Sequence, residues 1–215
     1  GDVAVYTPGA GLLRTISVKH PQQVAVHPKT GQMYILAGLE EGRSKYGYDY
    51  PPVMREARLH RFSPDGKPES EMALEPPFIK QRKEGSKPEF RLRMAVDFTG
   101  RKPVAWVGVA SPSAEFSKFT LLRIEDDGKE FDKPEEVCPK PRSAFIGGVS
   151  HFSLDRERDI LYVSDGSQLA RLTGEGKFLT PLKFRTSGDS AGDGKRYNIC
   201  EVAIGPQGMI YVLAF

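Results

Sequence analysis

Val24-Ala25-Val26-His27-Pro28-Lys29-Thr30-Gly31-Gln32-Met33-Tyr34-Ile35-Leu36 is the stretch that decides the fold. Two short apolar runs flank a turn carrying Pro and Gly, which reads as strand, turn, strand. The phrase returns with drift. It recurs as Met94-Ala95-Val96-Asp97 through Ala105-Trp106-Val107, and as Phe152-Ser153-Leu154-Asp155 through Ile160-Leu161-Tyr162-Val163. A last copy runs from Val202-Ala203-Ile204-Gly205 through Ile210-Tyr211-Val212. Self-similarity at this spacing marks a repeat architecture whose unit is built of strands.

A second half of the unit follows each of the first three phrases or precedes the next. Ala57-Arg58-Leu59-His60-Arg61-Phe62-Ser63-Pro64-Asp65-Gly66-Lys67 is a strand running into a hairpin turn. Phe119 to Lys129 and Gln168 to Lys177 repeat it, with Asp-Gly or Glu-Gly placed where a hairpin needs positive φ. A further strand is expected to start near Lys67, Lys129 and Lys177, giving four strands per unit in a meander. Asp2 to Leu13 aligns with Gln168 to Leu179, so the chain opens on the third strand of a unit, and Met209 to Phe215 closes on a second strand. The count is sixteen strands. The expected fold class is all-β, a β-propeller arc of four-stranded antiparallel blades with about four blade equivalents. The expected organisation is a single domain over 1–215, with blade parts 1–19, 20–75, 76–138, 139–185 and 186–215.

Spacing between copies is uneven: 72 residues from Tyr34 to Trp106, 56 to Tyr162 and 49 to Tyr211. A bare four-stranded blade takes about 40 to 45 residues, so the surplus locates insertions at Gly38 to Glu56 and Glu75 to Leu92. Shorter ones fall around Pro139 to Gly148 and Thr186 to Tyr197. Insertions of this kind gather on one face, which often binds. The aromatics at the second-strand position, Tyr34, Trp106, Tyr162 and Tyr211, are expected to pack between sheets.

The bulk properties are those of an ordinary globular chain: 39% hydrophobic, 27% charged, with 22 Gly and 17 Pro spread along it. A net charge of +3 is too small to imply nucleic acid. No run of eighteen apolar residues is present, so no membrane span is expected. The chain opens Gly1-Asp2-Val3 without an initiator Met, which suggests a processed form or a piece of a longer protein. Cys138 and Cys200 sit in no CxxC pattern and read as ordinary thiols, with a single bridge as the alternative.

The V-A-V-(D/H) phrase, the Tyr-Val strand and the R-(L/I)-x-x-F-x-x-D-G-K half together resemble the NHL-repeat family of β-propellers. Tyr162-Val163-Ser164-Asp165-Gly166, with Leu169-Ala170-Arg171-Leu172 behind it, is the nearest match. That family usually has six blades, so the resemblance implies an incomplete arc of a larger propeller. It also implies kinship with metal-dependent propeller hydrolases of the regucalcin and gluconolactonase type, and bacterial propellers of this kind are often exported. Fold does not fix function in such a family.

Weighed residue by residue, the chemistry favours binding over catalysis. Asp165 resembles an axial aspartate that holds a divalent cation such as calcium in the hydrolases, yet a metal site needs several converging oxygens. Asn198 is the only asparagine in the chain, so the companion ligands of that motif are missing. The histidines His20, His27, His60 and His151 show no ligand spacing. His27 and His151 are read as local hydrogen-bonding residues, with approach to each other near the channel as the alternative. Lys80, Arg82 and Lys83 belong to a basic stretch through Arg93 that would attract phosphates. Phe90 is its lone aromatic, too few for single-stranded RNA. Tyr46, Tyr48 and Tyr50, among Gly, Lys and Asp, make a loop suited to protein or carbohydrate recognition. The sequence therefore predicts a non-catalytic ligand- or protein-binding propeller module without a cofactor. A metal-dependent gluconolactonase-like hydrolase, its other ligands on blades outside this chain, is the alternative.

Overall fold

A computed structural model describes residues 1–40, 54–74, 91–110, 120–137, 151–164, 169–179, 182 and 199–214. The described chain is all-β apart from a single 3-10 turn, Pro206–Gly208. Among these residues no helix is long and apolar enough to cross a membrane.

The strands form five antiparallel sheets, each a meander of neighbours in sequence. Sheet 1 is β1 (Asp2–Tyr6) with β2 (Leu12–Ser17). Sheet 2 is β3 (Pro21–Val26), β4 (Met33–Glu40), β5 (Met54–Phe62) and β6 (Pro68–Leu74). Sheet 3 is β7 (Arg91–Asp97), β8 (Val104–Ala110), β9 (Thr120–Glu125) and β10 (Glu135–Val137). Sheet 4 is β11 (His151–Asp155), β12 (Ile160–Ser164) and β13 (Leu169–Thr173), and sheet 5 is β14 (Ile199–Ile204) with β15 (Ile210–Ala214).

β6 starts directly after its turn as expected, but the fourth strand of sheet 3 starts later. In sheet 3 a lone bridge, Asp126 to Phe131, precedes a three-residue β10. In sheet 4 the described residues after the turn pair with β13 through bridges from Phe178 to Leu172 and Leu182 to Leu169. Pro134 stands immediately before β10, and a proline has no N–H to give a ladder.

The tight turns repeat in atomic detail. Ser63 N–H donates to the Lys67 carbonyl and Thr173 N–H to that of Lys177, both at short range (2.9 Å). The hydroxyls of Ser63 and Thr173 accept from the N–H of Lys67 and Lys177. Gly66, Gly128 and Gly176 all have positive φ, between 85° and 89°, where a Cβ is strained.

Successive sheets pack face to face, so the core is a series of interlayers rather than one centre. Ile16 and Val18 of the β2 segment meet Ile35 and Phe62. Tyr34, Leu36 and Leu59 meet Val96, Val107 and Ile124. Trp106 and Leu121 meet Leu161, Val163 and Leu172. Tyr162 and Leu169 meet Val202. Each fully buried large side chain contributes about 1.5–3 kcal/mol, and alternation along each strand supplies both faces of an inner sheet. Tyr34, Trp106 and Tyr162 are buried as expected, but Tyr211 is 53% exposed. It lies on the outward face of the last sheet, where no further sheet covers it among the described residues.

The first strands of neighbouring sheets, β3, β7, β11 and β14, lie side by side. A meander puts the turns after first and third strands at one end of the stack and the other connections at the opposite end. Gly38 to Glu56 and Glu75 to Leu92 therefore both leave from the second end. Most of their residues lie outside the described set.

Candidate functional site

At the tight-turn end, the first strands enclose an open groove of about 670 Å³. Ala25 and Val26 of β3, Ala95 of β7, Phe152 and Ser153 of β11, and Ile204 of β14 contribute to its walls. Asp155, Arg156 and Glu157 add charged groups at its rim, so the wall is mixed in character.

Asp97 and Asp155, near this end, are already engaged. Asp97 accepts from the N–H and hydroxyl of Thr99. Asp155 accepts from the N–H groups of Glu157 and Arg158 and from the Arg158 guanidinium at 2.9 Å. His27 occupies the corresponding place in sheet 2 and does the same work with a nitrogen: Nδ1 accepts from the N–H of Lys29 and Thr30. Its ring lies 4.7 Å from that of Phe98 on the next sheet. Each of these side chains ties its own turn, as a short acceptor does.

The opposite end of the first strands is polar. His151 on β11 lies between β7 and β14, and its imidazole is influenced by the charges of Arg93 on β7 and Glu201 on β14. Burial and the Arg93 charge lower the His151 pKa, with Glu201 opposing. His151 is thus held neutral at pH 7. His27 and His151 stand at opposite ends of their strands, so the approach between them does not occur.

The most enclosed polar cluster joins sheets 2 and 3. Asp126, 2% exposed, accepts from the Tyr34 hydroxyl at 2.7 Å, from the Arg61 guanidinium, and from the Gly128 N–H. Arg61 also donates to the carbonyls of Gly128 and Lys129 and to Glu69 at 3.0 Å. Burial and the Asp126 carboxylate push the Tyr34 phenol well above the usual tyrosine range. Burial works against the Arg61 charge, but the hydrogen bond and charge of Asp126 more than offset it and the pKa is raised. One interlayer on, Arg123 donates to the Gly174 carbonyl at 3.0 Å. The cluster is thus one form of a repeated clasp, in which a third-strand arginine grips the tight turn of the following sheet. It holds neighbouring sheets together.

Every residue singled out from sequence as a site candidate, Tyr46, Tyr48, Tyr50, Lys80, Arg82, Lys83 and Asp165, lies outside the described residues. Cys138 and the Cys200 side chain do too. Among the described residues no three His, Cys, Asp or Glu side chains gather to hold a metal ion. Sequence reasoning missed the groove because alanines and valines in strands carry no chemical signal; only the convergence of four strands makes them a wall. The trio of Arg93, His151 and Glu201 was missed because its members are scattered along the chain.

No protein-family model matches the chain, and the search of curated proteins finds no match.

Proposed function

We propose that this chain is part of an NHL-like β-propeller that acts as a non-catalytic binding module for a protein or carbohydrate ligand. The observation that carries this reading is the side-by-side arrangement of the first strands, with the Gly38–Glu56 and Glu75–Leu92 connections leaving together from one end, opposite the groove. Rigid sheets then present variable loops around an axis, the arrangement in which loops carry recognition while the scaffold stays fixed. The engaged state of Asp97, Asp155 and Asp126 supports binding over catalysis, since a general base or metal ligand must be free to meet substrate. The insertion bearing Tyr46, Tyr48 and Tyr50 supplies the contact area, and Lys80, Arg82 and Lys83 tune it toward acidic partners.

The test compares the chain with a Tyr46→Ser, Tyr48→Ser, Tyr50→Ser variant against arrayed oligosaccharides and a displayed peptide library. Loss of selected ligands with an unchanged unfolding midpoint supports the module. Calcium-dependent lactone hydrolysis that disappears with Asp165→Ala would overturn it in favour of the hydrolase.

A further inference from the structure

A second cavity lies away from the first strands, between the outer strands of sheets 1 and 2. It holds about 570 Å³, a volume within the range of small-molecule sites. One wall is β2 with Val18 and Lys19 behind it, and the other is the outer part of sheet 2, from β4 to β6. Any strand joining sheet 1 beyond β1 would stand on the side away from β2. The cavity therefore does not depend on what precedes Gly1.

Alternation along β5 supplies its chemistry. Ala57, Leu59 and Arg61 turn toward sheet 3, so Arg58, His60 and Phe62 share the face toward sheet 1. Phe62 packs with Ile16 and Val18 of the β2 segment, and these three line the cavity as an apolar floor. Arg58 and His60 form a polar rim with Glu71, which stands opposite His60 on β6. Glu71 accepts from the Arg58 guanidinium, and its other oxygen lies 3.3 Å from His60 Nδ1. Among the described lining residues Glu71 is the only carboxylate, and Lys19 on the β2 wall adds a second cation to Arg58.

We propose that this cavity is a binding site for a small monocarboxylate with an apolar body. The body lies on Ile16, Val18 and Phe62, and the carboxylate is held at the rim by Lys19, Arg58 and His60. The one carboxylate of the lining is already met by Arg58 and His60, so the Lys19 charge is left for an incoming anion. A cationic ligand would instead meet two cations against one carboxylate. Inorganic phosphate would leave the floor unused, whereas an apolar body gains by covering it. His60 strengthens the assignment. Burial holds it below the ordinary histidine pKa, with Glu71 opposing and Arg58 adding to the effect. The ring is neutral at pH 7, and a carboxylate brought beside it favours protonation. The charged groups around it are Arg58 on its own strand, Glu71 on β6 and Lys19 beyond β2. Binding is therefore expected to take up a proton and to tighten as pH falls from about 8 toward 6.

The site is separate from the loop-bearing end, and the inference does not rest on the binding function proposed above. Calorimetric titration of the unmodified chain with phenylacetate tests it, with phenethyl alcohol as the uncharged counterpart. The acid is expected to bind at least about tenfold more tightly than the alcohol, the worth of one hydrogen bond to a charged group. Lys19→Gln, a change at an exposed position, is expected to keep the unfolding midpoint and remove most of that preference. His60→Gln is expected to abolish the proton uptake, read as the dependence of binding heat on the ionisation enthalpy of the buffer. No binding of the acid at millimolar concentration overturns the proposal, as does equal affinity for acid and alcohol. An acid preference that survives Lys19→Gln, or proton uptake that persists in His60→Gln, also overturns it, since the anion is then held elsewhere.

Discussion

Replacing Asp126 with alanine tests whether the clasp between sheets 2 and 3 stabilises the stack. The change removes the acceptor for the Tyr34 hydroxyl and the carboxylate paired with Arg61, whose side chain is 3% exposed. Breaking a buried ion pair from one side costs about 3–5 kcal/mol, because the remaining charge is left without its counter-ion. Arg61 keeps Glu69 at 3.0 Å and two backbone carbonyls, which places the loss toward the lower end, at about 3 kcal/mol. The turn also loses the bond from the Gly128 N–H at 2.9 Å. For a domain whose stability is of the order of 5–15 kcal/mol, that is a large share. Urea unfolding followed through the buried Trp106 reads it as a lower midpoint with an unchanged slope. Asp127→Asn, on an exposed carboxylate that accepts from Lys129 and Glu130, is the control and keeps the midpoint of the unmodified chain. Arg61→Leu with Asp126→Leu should be less damaging than Asp126→Ala, since no unpaired charge remains. A loss below about 1 kcal/mol for Asp126→Ala, the scale of a surface pair, would refute the reasoning.

Three other outcomes follow from the same structure. The Tyr34 pKa is raised on folding, so its contribution is complete below the unfolded value near pH 10 and is lost as pH climbs toward the folded one; Tyr34→Phe should flatten stability against pH above about 10. The His151 pKa is lowered, so its contribution is present above about pH 6.5 and lost on acidification. His151→Gln should therefore reduce the slope of stability between neutral pH and pH 5, as measured by thermal unfolding. Gly176→Ala should cost more than Gly128→Ala in urea. Both carry positive φ, but a Cβ at Gly176 meets Val137 at 3.1 Å while one at Gly128 meets nothing within 4 Å. The Gly128 change then reports the backbone cost alone, about 1 kcal/mol.

The strands and tight turns were legible in the sequence because their causes are local. Alternating apolar residues have the period of a pleated strand, and Asp-Gly or Glu-Gly supplies the positive φ that a hairpin needs. Reading His27 as a local hydrogen-bonding residue holds for the same reason: its partners are two and three residues away. What failed was whatever depended on neighbours distant in the chain. The last aromatic, Tyr211, repeats the position of Tyr34 yet stands in solvent, since burial belongs to the sheet that covers it and not to the residue. The fourth strand of sheet 3, which begins only after Pro134, shows how one proline weakens a ladder that the repeat pattern promises.

By itself the sequence determined an all-β chain of short antiparallel hairpins, where each turn begins and which half of the unit stands at each end. The tertiary structure alone decided that Asp126 reaches Arg61 and Tyr34 across an interlayer, and that four first strands wall one groove. It also decided that apolar residues at both ends remain uncovered. Backbone preference acts over a few residues and is written in them. Sheet-to-sheet packing joins residues 65 and 92 positions apart, and nothing in either local stretch names its partner.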